Sequence, residues 1–246
     1  MRAPDTVGAA DVGETGTPLV RCENAARTYG SGPHAVVAVH GLSCEVPPGA
    51  RIAVVGPSGS GKSTLLHLMA GLDRPTAGRV SHPGIGDEDA GGLARHIGVV
   101  FQGPSLLPAL TAEENVALPL RIDGVADGEA DSRARAALAS LGLEALARRL
   151  PDELSAGQAQ RVAVARVLAR RPRLVLADEP TGQLDRETGR QVLSVLLGTA
   201  EELSATVLVT THDPRIAREL DLRWYMADGR LTQPADPGTG RREVRS

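Results

Sequence analysis

Four short runs along the chain are continuously apolar and rich in valine: "RIAVVG" (51–56), "HIGVVF" (96–101), "RLVLAD" (173–178) and "ATVLVT" (205–210). Runs of this length without polar alternation predict strands covered on both faces, and therefore a largely parallel sheet. Between them, apolar residues recur every three or four positions over 61–71, 157–170 and 187–203, which predicts helices. Strands alternating with helices imply an α/β architecture of βαβ units. The segment 20–48 differs. There Val and Ala alternate with polar residues, punctuated by "GSGP" and "PPG", which predicts an antiparallel β-layer. The interval 104–156 has helical stretches at 112–121 and 131–149 and no strand pattern. It predicts a helical subdomain, about 104–168 with the helix that follows, inserted into the sheet domain.

Residues 1–18 and 233–246 are polar, rich in Gly, Thr, Asp or Pro, and aperiodic, so both are expected to be solvated tails around one folded body at 19–232. A length of 246 residues suits one large α/β domain, and no internal repeat suggests a second. The formal charge of −3 provides no cationic field for nucleic acid. Aromatics are limited to Tyr29, Phe101, Trp224 and Tyr225, so no ladder of rings is available for stacking bases, and no nucleic acid is expected as a partner. Cys22 and Cys44 have neither metal-site nor CxxC spacing, and the start of the chain lacks a signal-peptide pattern, which fits a reducing cytosol. No apolar run reaches the roughly 18–20 residues that a membrane helix needs. Any work at a membrane is thus expected to pass through a partner.

Lys62 is the only lysine among 27 Lys and Arg side chains. It lies in "GPSGSGKS" (56–63), which matches G-x-x-x-x-G-K-[ST] between an apolar strand and a helix, the context that this phosphate-binding loop requires. Gly56, Ser58, Gly59 and Gly61 belong to a backbone that folds around phosphates with its N–H groups pointing inward, aided by the helix N-terminus. Lys62 adds a compact point charge for the β- and γ-phosphates, where a guanidinium would be longer and bound to a fork geometry. Ser63 is expected on Mg²⁺ and Thr64 on a phosphate. "LVLADE" (174–179) ends a strand in two carboxylates. Asp178 is read as holding Mg²⁺ through water, and Glu179 as polarising the attacking water.

With these residues in place, the chain resembles an ATP-binding-cassette (ABC) ATPase subunit over about 19–232. "LSAGQ" (154–158) resembles the family's signature, Gln102 in "VVFQGPSLLP" its Q-loop, "GQLD" (182–185) its D-loop and His212 in "VTTHD" its switch histidine. Tyr29 in "ARTYG" sits where the family stacks an aromatic ring on adenine. The resemblance implies a P-loop NTPase cassette that binds and hydrolyses ATP with Mg²⁺. Glu179, His212 and Gln102 would be catalytic, and Ser63, Gln102 and Asp178 would surround the metal. Ser155, Gly157 and Gln158 would close over the phosphate loop of a second, identical subunit in a head-to-tail dimer. It also implies separate membrane-spanning permease subunits, docked near the stretch after Gln102, and a place on the inner face of the plasma membrane. Two positions depart from the common pattern: Ala156 replaces a glycine, placing a methyl near the partner's γ-phosphate, and Gln183 replaces a small or polar residue.

Three segments, "LLHLMAGLDRPTAGRV" (65–80), "TAEENVALPL" (111–120) and "LADEPTGQLD" (176–185), are similar to the lipoprotein-release and macrolide-export group. That similarity implies export or lipoprotein-type translocation. A non-transport ABC ATPase acting on ribosomes or DNA would carry two cassettes, a long coiled coil or a basic docking segment. A module that merely holds ATP would not need Glu179 and His212.

Overall fold

The computed structural model describes residues 16–86 and 92–232. In chain order the strands and helices are β1 (Val20–Tyr29), β2 (Val36–Val46), β3 (Arg51–Val55), α1 (Lys62–Met69), β4 (Ala77–Ser81), α2 (Gly92–His96) and β5 (Ile97–Val100), then α3 (Ala112–Ile122), α4 (Asp127–Ser140) and α5 (Ala156–Leu168). They continue with β6 (Leu174–Asp178), α6 (Arg186–Glu202), β7 (Thr206–Thr211), α7 (Pro214–Arg218), β8 (Leu222–Ala227) and β9 (Arg230–Thr232). Of the expected tails, 1–15 and 233–246 lie outside the described residues. Within 16–18, Pro18 is buried and its carbonyl accepts the Gly84 N–H at 2.9 Å.

A six-stranded sheet runs in the order β5-β6-β7-β3-β8-β9, parallel except for β9, and a three-stranded antiparallel sheet runs β2-β1-β4. The fold is an α/β P-loop cassette with a β-layer and an inserted helical subdomain. Successive residues of β6 explain its continuous apolar run: Leu174 and Leu176 join the core beneath the β-layer and α1, while Val175 and Ala177 join the core beneath α3, α5 and α6. Each face of the strand is therefore removed from water. Cys22 and Cys44, neighbours across β1 and β2, are both buried with free thiols.

Three strands, β4, β8 and β9, and the two short helices α2 and α7 were not expected. β4 pairs on the second side of β1, although most of it is exposed. β8 buries only Trp224 and Met226, and turns into β9 at Asp228-Gly229 with φ of 47° and 69°. That turn dipeptide, after an alternating run, is the hairpin signal that identifies the pair.

The helix expected over 131–149 is shorter and begins earlier. α4 ends at Ser140 because Gly142, at φ 66°, takes a left-handed conformation, and the Gly142 and Leu143 N–H groups donate to Ala139 and Leu138 at 2.9 Å each. This is a Schellman ending, with buried Leu143 against buried Leu138 as its apolar contact. α3 starts in a capping box between Thr111 and Glu114.

Candidate active site

The loop between β3 and α1 is forced into a tight cradle by its neighbours. A Cβ on Gly56 would lie 2.0 Å from the Met226 carbonyl oxygen, and one on Gly61, at φ 98°, would lie 2.3 Å from that of Ala38. Both positions require glycine. Ser58, Gly59, Gly61, Lys62, Ser63 and Thr64 line one side of an open cleft, and Ala38, Gln102 and Glu179 complete it. The sequence expectations for Lys62, Gln102 and Glu179, 117 residues apart at the extremes (179 − 62), thus meet in one place.

Lys62 is buried at 5% side-chain exposure, and its Nζ donates to the carbonyls of Gly56 at 2.9 Å and Pro57 at 3.0 Å. It also stands 3.3 Å from Glu179 Oε1. The other oxygen of that carboxylate, Oε2, is 3.0 Å from His212 Nδ1. Glu179 is therefore held between the ammonium of the phosphate loop and an imidazole that is itself exposed. Taking Lys62 and Glu179 out of water is tolerable because each offsets the other's charge.

The backbone at Glu179 is also unusual, with φ at 42°, a left-handed value that carries strain for a residue with a side chain. Its N–H donates to both the carbonyl and the hydroxyl of Thr210, at 3.1 and 3.0 Å. The same Thr210 hydroxyl donates to Asp178 Oδ1 at 2.6 Å. Thr210 is fully enclosed and was not singled out from the sequence. Its signal was available only through pairing, because it is the partner of Asp178 in the β6/β7 register.

Gln102 follows β5 on a segment tied to α5. Gln160 Nε2 donates to the Phe101 carbonyl at 3.1 Å, and Arg166 donates to the Ser105 carbonyl at 2.9 Å. Buried Asn115 secures the next stretch through Leu107, Leu110 and Thr111. The half of "PSLLPALTAEENVALPLRI" before Ala112 is thus a pinned loop, with the helix confined to Ala112–Ile122.

Ser155, Gly157 and Gln158 do not line the Lys62 cleft. Ser155 and Gln158 form a reciprocal cap on α5, with the Gln158 N–H donating to Ser155 Oγ at 3.2 Å and the Ser155 N–H to Gln158 Oε1 at 2.9 Å. Gly157 packs on α6, where a Cβ would come within 2.5 Å of Thr188 Cγ2. Ala156 is exposed. Tyr29 stands apart from the cleft with its hydroxyl on Asp73 at 2.8 Å. No helix among the described residues is long and apolar enough to cross a membrane.

The ABC transporter family model matches residues 39–182. The "Lipoprotein-releasing system ATP-binding protein LolD" of Chromohalobacter salexigens is 44% identical over 223 residues, covering 88% of this chain and 94% of that protein. The LolD of Hydrogenovibrio crunogenus is 40% identical, over 89% of this chain and 97% of that protein. Among solved structures, the post-hydrolysis dimer of the ATP-binding cassette MJ0796 bound to ADP and Pi is 38% identical, with a TM-score of 0.78 over 87% of this chain and 98% of its own. The cbiO1 protein of Clostridium perfringens, part of the ABC transporter complex cbiONQ, gives a TM-score of 0.76 at 30% identity, over 87% of each chain. By its phosphate-loop cleft, its cassette fold and its kinship over most of its length, the chain belongs to the ABC transporter family as an ATP-hydrolysing cassette.

Proposed function

We propose that this chain is the ATPase subunit of a transporter for lipoprotein-type translocation or export, working as a homodimer at the inner face of the plasma membrane with separate membrane-spanning subunits. The observation that carries this reading is the convergence of Lys62, Gln102 and Glu179 on one cleft. The LolD relatives, named for a lipoprotein-releasing system, support the lipoprotein-type reading, and the dimeric neighbours support the pairing.

Lys62 is held by two carbonyls of its own loop and by Glu179. Incoming β- and γ-phosphates offer that ammonium a stronger anionic partner, and the glycine cradle adds backbone N–H groups and the α1 N-terminus. Release of Lys62 leaves Glu179 free to accept the proton of the water that attacks the γ-phosphorus, while His212 remains on its second oxygen. The bond to the leaving β-γ bridging oxygen breaks, giving ADP and phosphate.

The donor set suits Mg²⁺: the Ser63 hydroxyl is exposed at the cleft, Gln102 offers an amide oxygen, and Asp178 keeps one carboxylate oxygen beyond the one held by Thr210. These three residues would hold the ion, which neutralises charge on the transferring phosphoryl group when bound. Ser155, Gly157 and Gln158 open α5 away from the chain's own cleft, so we assign them to the phosphates of the second subunit, with the α5 N-terminus facing the anion.

The test is affinity purification of tagged Glu179→Gln from detergent-solubilised membranes with Mg-ATP present. Co-purification of a polytopic membrane protein with an extracytoplasmic domain is expected. Ribosomal proteins, or a soluble dimer alone, would favour a non-transport ATPase.

A further inference from the structure

Arg27, Tyr29 and Asp73 form a compact cluster at one end of the β-layer. The Tyr29 hydroxyl donates to Asp73 Oδ2 at 2.8 Å, and Arg27 Nε pairs with the same oxygen at 2.9 Å. The Arg27 guanidinium carbon lies 4.6 Å from the centre of the Tyr29 ring, so a cation covers one side of the ring. Tyr29 nevertheless keeps 39% of its surface exposed, whereas the Arg27 and Asp73 side chains are mostly covered.

The cluster is rigidly referenced to the phosphate cleft from two directions. Tyr29 pairs with Val36 and Arg27 with Val39, with a register slip at Ala38, which itself lines the cleft. Val36 to Ala38 is roughly 7 Å along a strand. From the other side, α1 begins at Lys62 and ends at Met69, and the turn that follows it carries Asp73, whose N–H donates to the His67 carbonyl at 3.2 Å. Eight helical residues span roughly 12 Å. The Arg74 N–H occupies Asp73 Oδ1 at 2.7 Å, and Thr76 bonds Thr28 N and Ala26 O, so the turn cannot slide along β1. Burial opposes the charge of Asp73, but the Tyr29 hydroxyl, the Arg74 N–H and Arg27 together hold its carboxyl below the usual carboxylate range.

We propose that Arg27 and Asp73 are positioning residues that lock Tyr29 as a one-sided stacking platform for the planar base of the nucleotide whose phosphates occupy the Lys62 cleft. This rests on the ATP-site reading above and on the family resemblance that sets Tyr29 against the adenine; the new element is the role of Arg27 and Asp73 in holding the ring. Asp73 fixes the ring's tilt through its hydroxyl, Arg27 fills the ring's back face and draws its π density, and the free face receives the base. α1 links the two subsites, because its first residue holds the phosphates and the turn after its last residue holds the ring.

The test compares equilibrium binding of ATP and of inorganic tripolyphosphate to the full chain by calorimetry. Wild type should bind ATP more tightly than tripolyphosphate, and Tyr29→Ala should remove most of that difference. Asp73→Ala, Arg27→Ala and Tyr29→Phe should each lower ATP affinity roughly three- to tenfold and leave tripolyphosphate affinity unchanged. Asp73→Asn, whose amide oxygen still accepts from the Tyr29 hydroxyl, should retain most of the affinity, and Asp73→Ala should add nothing in the Tyr29→Ala background. Tripolyphosphate binding doubles as the check that each variant is folded. The proposal is overturned if Asp73→Ala and Arg27→Ala leave ATP affinity intact while Tyr29→Ala impairs it, or if they weaken both ligands equally. A wild-type chain that binds neither ligand would sink the ATP-site reading itself.

Discussion

The Thr210 hydroxyl donates to Asp178 Oδ1 at 2.6 Å and accepts the Glu179 N–H at 3.0 Å, so one side chain orients two adjacent acidic residues. Removing the hydroxyl without changing the shape should leave the sheet intact and free both groups. Thr210→Val is expected to lower ATP turnover and Mg²⁺ affinity roughly 10- to 100-fold, as is usual when a partner of a ligating carboxylate is lost. Thr210→Ser should recover most of it. Steady-state hydrolysis at varied Mg²⁺ checks this, and a Val variant with wild-type Mg²⁺ dependence would remove Thr210 from the site.

Lys62 and Glu179 should separate binding from chemistry. Lys62→Ala deletes the charge proposed to meet the phosphates and leaves Glu179 without the ammonium 3.3 Å from it. It should weaken nucleotide binding markedly. Glu179→Gln keeps the shape of the side chain and loses the proposed base, so binding should persist while turnover falls roughly 10²- to 10⁴-fold. Light scattering in ATP should find this variant as a stalled dimer. Wild-type turnover by Glu179→Gln in the presence of the membrane subunits would exclude Glu179 as the base.

What could be read from the sequence follows what is local in it. The phosphate loop is contiguous, with Gly56 and Gly61 dictated by carbonyls that any residue type could supply and Gly59 by its positive φ, so GPSGSGKS reads directly. The buried strands read equally well, because both of their faces are apolar. Thr210 does not, since its meaning arises only when β6 and β7 pair and set it beside Asp178, 32 residues away. Arg27 and Asp73 are 46 residues apart (73 − 27) and look like ordinary surface charges until the β-layer packs on α1. β4 and β8 escaped for the opposite reason, as each buries too little to leave an apolar run.

Gly157 and Ala156 stand side by side in the signature-like segment but should behave differently. A methyl at 157 would press on Thr188 Cγ2 at 2.5 Å. Overpacking of this kind costs about 1–3 kcal/mol, more than the helix propensity gained by alanine, so Gly157→Ala should lower the melting temperature. Adding Thr188→Ser, which removes that methyl and keeps the hydroxyl, should restore it. Ala156 is exposed at the first turn of α5, and Ala156→Gly should leave turnover equal or faster. A large loss of activity there would mean that residues 154–158 are not the signature.

Acid should expose the cap that Asp185 places on α6. Its carboxylate accepts from the Glu187 and Thr188 N–H groups at 3.0 and 3.1 Å. The Thr188 side chain and N–H, followed by the Glu187 N–H, hold its carboxyl below the ordinary aspartate range, with slight burial working against them. A folded-state value below the unfolded one means that the cap contributes fully above about pH 4 and is lost as pH falls through the lowered value. Asp185→Asn keeps a side-chain oxygen for the cap but cannot titrate. Glu114, Glu153 and Asp213 are lowered by their own backbone N–H partners, so wild type and variant should both lose stability in acid. The gap between them isolates Asp185. Melting temperatures should differ by a constant amount from pH 8 to about 5, with wild type ahead through its charge at the helix N-terminus, and the gap should close below about pH 4. A gap that stays constant down to pH 3 would show that the Asp185 cap is insensitive to its charge.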